Sequence, residues 1–239
     1  MSNQLTGRAV VFSGGPLPFT TRSSESAPAS FTSDFENAVV ACTSQSQLVV
    51  AADSGLHLAL FCGQTPNLVI GDMDSVDPVA LDQAMLDGAE VRSFPADKDA
   101  TDLELALEAV LSSVDFQIGI VTVIGSGEGR IDHLFAGLLL LASEKFASLR
   151  IDAWLGNTYV AIVRDSWSIA AQPGQLITVL ALNGTASGVS CSGLRWALDG
   201  NELQSGSTRG ISNEFIDPVA SISVESGVVA VILNPNGAS

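Results

Sequence analysis

Aspartate residues cluster directly after short apolar runs in the first half of the chain. The aspartates that follow such runs are Asp53, Asp72, Asp74, Asp97, Asp99 and Asp102. Carboxylates packed together repel one another unless a cation is present, and Mg²⁺ is commonly held by one or two carboxylates together with substrate phosphates. The Asp72-x-Asp74 pair therefore indicates a divalent-cation site. The alternative is a solvated turn in which the aspartates only cap helices.

A second group of candidate residues follows the apolar run 118–124. The segment Gly125–Gly129 is rich in glycine and leads into Arg130. It lacks both the Lys-Ser/Thr of a P-loop and the GxGxxG spacing of a dinucleotide site. Backbone N–H groups at such a turn can still bind an anion, and Arg130 offers a forked donor to phosphate. The alternative is a surface ion pair between Arg130 and Asp132.

Alternating strands and helices are predicted to position these residues. Compact apolar runs without polar alternation are typical of strands buried on both faces of a parallel sheet, and they lie at 9–12, 48–52, 68–70, 91–94 and 118–124. Asp77-Pro78 and the capping box Thr101–Glu104 each predict a helix start. The segment Ile131–Phe146 is apolar on nearly every side and predicts a buried helix. Ligands of such α/β sheets bind at the carboxyl ends of the strands, where the aspartates lie.

The second half of the chain has a different pattern. Short β-rich runs alternate with turn signals such as Asn183-Gly184 and Asp199-Gly200. The sequence predicts an α/β plus all-β protein, in which a doubly wound, mostly parallel sheet domain (1–148) precedes an antiparallel β-sandwich (149–239). Trp196 in this half is either a core residue or an exposed platform for an aromatic ligand.

Composition excludes several classes of function. The chain has 239 residues, is 46% hydrophobic and carries a formal net charge of −16, so we expect no binding to nucleic acid. No apolar stretch approaches the ~20 residues of a membrane span, so we expect no membrane partner. Three scattered cysteines are typical of free thiols in a reducing compartment, so we expect a cytoplasmic protein. Residues 20–33 are rich in Ser, Thr, Ala and Pro and predict an exposed loop.

Six short motifs, taken in order, resemble those of the thiamine pyrophosphokinase family. They are Ala52-Asp53-x-Gly55, Gly71-Asp72-x-Asp74-Ser75, Asp97-x-Asp99-x-Thr101-Asp102, Gly129-Arg130-x-Asp132-His133, Gly193-Leu194-x-Trp196-x-Leu198 and Gly210–Phe215. The resemblance implies an α/β domain followed by a β-sandwich. It also implies a homodimer whose site is shared between subunits, and Mg²⁺-dependent transfer of pyrophosphate from ATP to the hydroxyl of thiamine.

The resemblance also implies roles for individual residues. The Mg²⁺ ligands, which are also catalytic residues, would be Asp72, Asp74 and Asp102. The residues near the nucleotide phosphates would be Asp53, Lys98, Asp99, Thr101 and Arg130. Arg130 and Asp132 would act in catalysis, and the thiamine site would comprise Asp132, Trp196, Ser212 and Asn213.

The sequence departs from the family pattern at a few positions, and these keep other functions open. His57 stands where the family has Asn, Ser54 replaces one glycine and Glu128 replaces another. One alternative is a thiamine- or cation-binding protein of the same fold that has lost its activity. Another is a Mg²⁺-dependent nucleotide-sugar transferase that uses the Asp72-x-Asp74 pair.

Overall fold

The chain folds into two compact units. The computed structural model describes residues 6–16, 33–113 and 115–233. The first unit comprises residues up to Gly137 together with Ala153–Gly156, and the second comprises Leu138–Asp152 and the residues from Asn157 onward. The chain therefore passes between the units three times, after Gly137, Asp152 and Gly156, and the predicted boundary at 148/149 lies between the first two passages. Of the loop predicted at 20–33, residues 20–32 lie outside the described residues.

The first unit contains five parallel strands. They are β1 (Gly7–Phe12), β2 (Leu48–Ala52), β3 (Leu68–Gly71), β4 (Glu90–Ser93) and β5 (Ile118–Gly125). Their order in the sheet is β5-β1-β2-β3-β4, and every pair of neighbours runs parallel. Each strand lies within two residues of a predicted run. The prediction of burial on both faces is wrong for β4, which stands at the end of the strand order and is mostly exposed. The carboxyl ends of all five therefore lie at one edge of the sheet.

Five α-helices follow the strands. They are α1 (Ser33–Ser44), α2 (Gly55–Phe61), α3 (Pro78–Leu86), α4 (Asp102–Leu111) and α5 (Ile131–Leu141). Two predicted caps are confirmed, because the Asp77 carboxylate accepts the Val79 N–H at 3.0 Å and the Thr101 hydroxyl accepts the Glu104 N–H at 3.2 Å. Such caps each stabilise a helix start by about 1 kcal/mol.

Apolar side chains fix this sheet between its helices. Phe12 of β1 packs with Phe35 and Val39 of α1, and Ala51 of β2 packs with Leu56 of α2. Phe12 and Phe35 are almost completely buried, and truncating either to Ala would cost about 3–5 kcal/mol. The strand ends are therefore held by a rigid scaffold.

The prediction of a buried helix at Ile131–Phe146 is wrong. The α-helix ends at Leu141, and a separate 3₁₀ turn covers Glu144–Phe146. Ile131 is 81% exposed and Phe135 is 62% exposed. The apolar pattern correctly indicates that α5 has a hydrophobic surface, but the described residues of this chain do not bury that surface.

The second unit is an antiparallel β-sandwich, as predicted. The nine strands that follow α5 are β6 (Arg150–Leu155), β7 (Thr158–Val163), β8 (Ser166–Ala170), β9 (Leu176–Ala181), β10 (Ala186–Ser192), β11 (Leu198–Leu203), β12 (Asn213–Glu214), β13 (Val219–Ser223) and β14 (Val229–Leu233). One sheet contains strands in the order β12-β9-β14-β7, and the other has the order β11-β10-β13-β8. Val179 and Val231 of the first sheet share one core with Val189 and Ile222 of the second.

The three cysteines, all within the described residues, form no disulfide bond. Burial raises the pKa of the Cys62 and Cys191 thiols to about 11, so both stay protonated and unreactive near neutral pH. Among the helices in the described ranges, none is both long and apolar enough to cross a membrane.

Candidate functional site

Three aspartates meet at the carboxyl edge of the parallel sheet. Asp53 follows β2, while Asp72 and Asp74 follow the neighbouring strand β3. The Asp53 N–H donates to the Ile70 carbonyl at 2.8 Å, which continues the ladder between the two strands. As a result, one carboxylate oxygen from each aspartate lies within 4.8 Å of the others. This donor set suits a hard divalent cation.

The Asp53 side chain has unsatisfied bonding capacity in this cluster. The residue is only 8% exposed, and its Oδ1 has no hydrogen-bond partner among the described residues. Burial is the largest cause that raises the pKa of Asp53, and the negative charges of Asp102, Asp72 and Asp74 add to it, while a hydrogen bond from the Ser54 backbone opposes it. A buried carboxylate of this kind is stabilised by a cation. The residues present therefore fit a bound Mg²⁺ ion.

Lys98 is the basic residue of the cluster. Its Nζ lies 2.8 Å from Asp102 Oδ1 and 3.5 Å from Asp72 Oδ2, and its side chain is 13% exposed. The Asp74 backbone N–H, which donates to Asp72 at 3.2 Å, is the main cause that lowers the pKa of Asp72, and Lys98 lowers it further. Asp72 is thus held as a carboxylate, ready to bind a cation.

Gly71 allows these side chains to approach. Its φ is +154°, and a Cβ at this position would lie 2.9 Å from Asp53 Cβ and 3.1 Å from Asp102 Oδ1. Any larger residue would therefore push the Asp53 and Asp102 side chains away. The glycine at the end of β3 brings the β2 and α4 aspartates together.

The glycine-rich turn lies beside a segment that the sequence analysis passed over. Ser13 follows β1, and its N–H donates to the Ile124 carbonyl at 2.8 Å, just before Gly125–Gly129. Ser126 in this turn is buried, and its Oγ accepts the Glu128 N–H at 3.3 Å. The rule that ligands bind at strand ends, applied to β1 as well, would have found this segment.

Arg130 and Asp132 form a separate ion pair at the start of α5. Arg130 Nε donates to Asp132 Oδ1 at 3.2 Å, and both side chains are largely exposed. The hydrogen bonds from Arg130 are the main cause that lowers the pKa of Asp132 to about 2. The ion pair expected as an alternative is present, and Arg130 remains exposed enough to reach an anion.

His57 connects α2 to the loop that carries two of the aspartates. Its Nε2 accepts the backbone N–H of Asp77 at 3.0 Å, at the end of the 72–77 loop. The sequence marked His57 as a departure from the family pattern and favoured a structural role for it, without naming a partner. Its partner is twenty residues away, and no local signal indicates that contact.

In the second unit, Trp196 and Asn213 lie together. Trp196 is 57% exposed, so its alternative role as a core residue is wrong. The buried Asn213 side chain binds the Trp196 backbone on both sides, accepting its N–H at 3.0 Å and donating to its carbonyl at 2.8 Å. Ser212 is exposed, has a φ of +57° and donates its N–H to Thr178 Oγ1 at 3.2 Å.

The structure brings some of the predicted site residues together and leaves others apart. Within the first unit Asp53, Asp72 and Asp74 form the acidic cluster, so Asp53 is a candidate metal ligand besides those predicted. The predicted ligand Asp102 is not in this group of three, but Lys98 pairs with both Asp102 and Asp72. Asp99 is exposed in the preceding loop, and Thr101 uses its hydroxyl to cap α4. The places of Arg130, Asp132, Trp196, Ser212 and Asn213 in a substrate site stay predictions.

Two family models match the chain. The model of the thiamin pyrophosphokinase catalytic domain matches residues 40–153, and that of the thiamin pyrophosphokinase vitamin B1 binding domain matches residues 168–229. The first contains the acidic cluster and the second contains Trp196 and Asn213. These matches disfavour a nucleotide-sugar transferase.

Known proteins of the same family share the fold. Thiamine pyrophosphokinase of Bacillus subtilis is 24% identical over 192 residues, which cover 80% of this chain and 88% of the relative. The crystal structure of thiamine pyrophosphokinase from Bacillus subtilis superposes with a TM-score of 0.74 at 21% identity, covering 96% of this chain and all of that one. The yeast enzyme superposes with a TM-score of 0.68 at 13% identity, covering 95% and 86%.

The family models together cover most of the chain, in the order and at the places of the two folded units. The chain therefore belongs to the thiamin pyrophosphokinase family of enzymes.

Proposed function

We propose that this chain transfers pyrophosphate from ATP to the hydroxyl of thiamine in a Mg²⁺-dependent reaction, giving thiamine diphosphate and AMP. The observation that carries the proposal is the meeting of Asp53, Asp72 and Asp74 within 4.8 Å at the carboxyl edge of the sheet. Relatives that bear the name thiamine pyrophosphokinase support the choice of substrate.

The acidic cluster is the proposed site of the nucleotide phosphates. Asp53, Asp72 and Asp74 would hold Mg²⁺, and the family resemblance adds Asp102. When bound, the ion supplies positive charge that offsets the negative charge of the phosphates and stabilises it as it shifts during transfer. Lys98 is close enough to the aspartates to bind a phosphate oxygen at the same edge.

The reaction is an in-line displacement. The hydroxyl oxygen of thiamine forms a bond to the β-phosphorus of ATP, and the bond from that phosphorus to the bridging oxygen breaks, so that AMP leaves. The hydroxyl proton passes to a carboxylate of the acidic cluster. Catalysis rests mainly on positioning and charge stabilisation, as in phosphoryl transfer generally.

Thiamine is proposed to bind on the exposed ring of Trp196, beside Ser212 and Asn213. An aromatic face stabilises a stacked cationic heterocycle. We further propose a homodimer in which Trp196 of one subunit completes the phosphate site of the other. Exposed apolar side chains on both units support an association between copies, and they are Ile131, Phe135, Trp196 and Ile211.

The test is AMP release by the purified protein with ATP and Mg²⁺, with and without thiamine. We expect AMP only when thiamine is present, and none after Mg²⁺ is chelated. Absence of AMP from a folded sample that still binds thiamine would indicate a binding protein that has lost its activity. Absence of both would refute the proposal.

The thiamine site is tested separately with Trp196→Ala. We expect a large loss of thiamine affinity in calorimetry at an unchanged melting temperature, because the ring is exposed and carries little of the folding energy. Sedimentation of the wild-type protein measures the homodimer directly, and a monomer at catalytic concentrations would contradict it.

A further inference from the structure

We propose that Asn213 is a positioning residue, which acts on thiamine only by fixing the backbone of Trp196. This inference rests on the proposed role of Trp196 in binding thiamine. Asn213 is 7% exposed, so it has little surface to offer a ligand. Its side chain is instead directed at the chain segment that carries the tryptophan.

The hydrogen bonds of Asn213 account for most of its bonding capacity. Oδ1 accepts two N–H groups, from Trp196 at 3.0 Å and from Glu214 at 2.9 Å, and so uses both of its lone pairs. Nδ2 donates to the Trp196 carbonyl at 2.8 Å. A substrate would have to displace one of these bonds to use the amide oxygen.

The position of Asn213 in the sheet explains this use of its side chain. Leu194 pairs with Phe215 in an antiparallel bridge, and the Arg195 N–H donates to the Glu214 carbonyl at 2.8 Å. The same register sets Trp196 opposite Asn213, whose backbone already pairs with Ile177 of β9. The amide side chain therefore takes the place of a backbone partner for Trp196.

The surroundings of the tryptophan show why such a bond matters. Trp196 lies in the connection between β10 and β11, and its ring is exposed. On one side of it, the Arg195 guanidinium lies 5.7 Å from the ring and forms an ion pair with Glu214 at 2.8 Å. A ring that the core does not hold needs its backbone fixed, because an ordered binding face costs less entropy when the ligand arrives.

The proposal predicts coupled effects on thiamine binding. Asn213→Ala should weaken thiamine binding by about 2- to 12-fold, which is the cost of ordering one side chain. It should leave the KM for ATP unchanged. In a Trp196→Ala background the same substitution should have no further effect on thiamine affinity, because the residue acts through the ring. An equal loss in both backgrounds would show that Asn213 contacts thiamine itself and would overturn the proposal.

A measurement without substrate tests the position of the ring directly. The protein has three tryptophans, so 5-fluorotryptophan labelling gives three ¹⁹F signals, of which Trp196 is assigned with Trp196→Phe. Asn213→Ala should shift and alter the width of that signal alone. The matched control is Asn201→Ala, which removes an amide bond to the Asp199 N–H in the same unit. A Trp196 signal that Asn213→Ala leaves unchanged would overturn the proposal.

A second variant guards against a loss of folding. Asn213→Asp keeps the shape and the acceptor but loses the donor to the Trp196 carbonyl, so it should move the same signal in a folded protein. If Trp196→Ala leaves thiamine affinity unchanged, the proposed thiamine site fails. The ¹⁹F signals then still decide whether Asn213 fixes Trp196.

Discussion

Replacing Asp53 with Asn should stabilise the fold when no divalent cation is present. The Asp53 carboxylate is buried, one of its oxygens has no partner among the described residues, and three other aspartates face it. Lys98 offsets the charges of Asp72 and Asp102 but forms no ion pair with Asp53. A buried polar group without a partner costs about 1–3 kcal/mol and a charged one costs more, so a neutral amide at this position is less costly than the carboxylate.

The expected gain lies in the lower part of that range. The Ser54 N–H already bonds the carboxylate, and Asp74 is exposed to screening solvent. Asp53→Asn should therefore gain about 1–2 kcal/mol, or about 2–8 °C in melting temperature for a chain of this length. When the cation is bound, the sign of the stability difference between variant and wild type reverses. This is because Mg²⁺ at 100 times its Kd adds about 2.7 kcal/mol to the unfolding free energy of the wild type and less to that of the variant.

The assay is thermal unfolding of both proteins in EDTA and in Mg²⁺, with Asp82→Asn as the control. Asp82 is an exposed aspartate of α3, so its replacement changes the net charge equally without touching the cluster. Because the raised pKa of Asp53 lets the folded state take up a proton first, the advantage of the variant should shrink as the pH falls through that pKa. The reasoning would be refuted if Asp53→Asn melted below the wild type in EDTA, or if Mg²⁺ raised the melting temperature of the variant as much as that of the wild type.

Three further predictions concern the same edge of the sheet. Asp72→Asn should reduce AMP release at least a hundredfold at saturating Mg²⁺, and near-full turnover in this assay would show that the ligand assignment is wrong. Gly71→Ala should lower stability by about 1–3 kcal/mol and reduce Mn²⁺ binding, because its Cβ would meet Asp53; denaturant unfolding and calorimetry measure the two effects, and an unchanged Mn²⁺ affinity would contradict the geometry. His57→Ala should raise the KM for ATP several-fold by releasing the Asp77 N–H, while His57→Gln, which restores an acceptor, should recover it; steady-state kinetics would contradict this if both variants behaved alike.

The sequence predicted those parts of the fold and site that depend on local patterns. Four of the five parallel strands were readable because they are buried and apolar, whereas β4 (Glu90–Ser93) is polar and mostly exposed. The helix starts at Asp77 and Thr101 were readable because capping involves residues only two or three positions apart. The meeting of Asp53 with Asp72 followed from the parallel sheet itself. Neighbouring parallel strands bring their carboxyl ends to one edge.

Other features depend on contacts that no local pattern encodes. The amide of Asn213 bonds a residue seventeen positions away, because the strand register places Trp196 opposite it. The exposure of α5 could not be predicted either, since an apolar helix shows only that Ile131 and Phe135 should be covered and not by what. His57 is a third case, because its contact with Asp77 depends on how two successive helices pack.

Backbone strain and charge repulsion occur at the same two turns, which follow β2 and β3. The fold must therefore stabilise the site against both costs. Asp53 has a φ of +47° and Met73, between the other two aspartates, has a φ of +65°, conformations that cost non-glycine residues about 1–3 kcal/mol each. Among the described residues, Lys98 is the cation that pairs with this edge, and it pairs with Asp72 and Asp102, so formal negative charge remains uncompensated. Strands β2 and β3 offset these costs because their side chains are almost entirely buried. The scaffold thus stabilises a cluster that is unfavourable by itself, and the proposed divalent cation would relieve both the repulsion within the cluster and the repulsion between the cluster and a nucleotide.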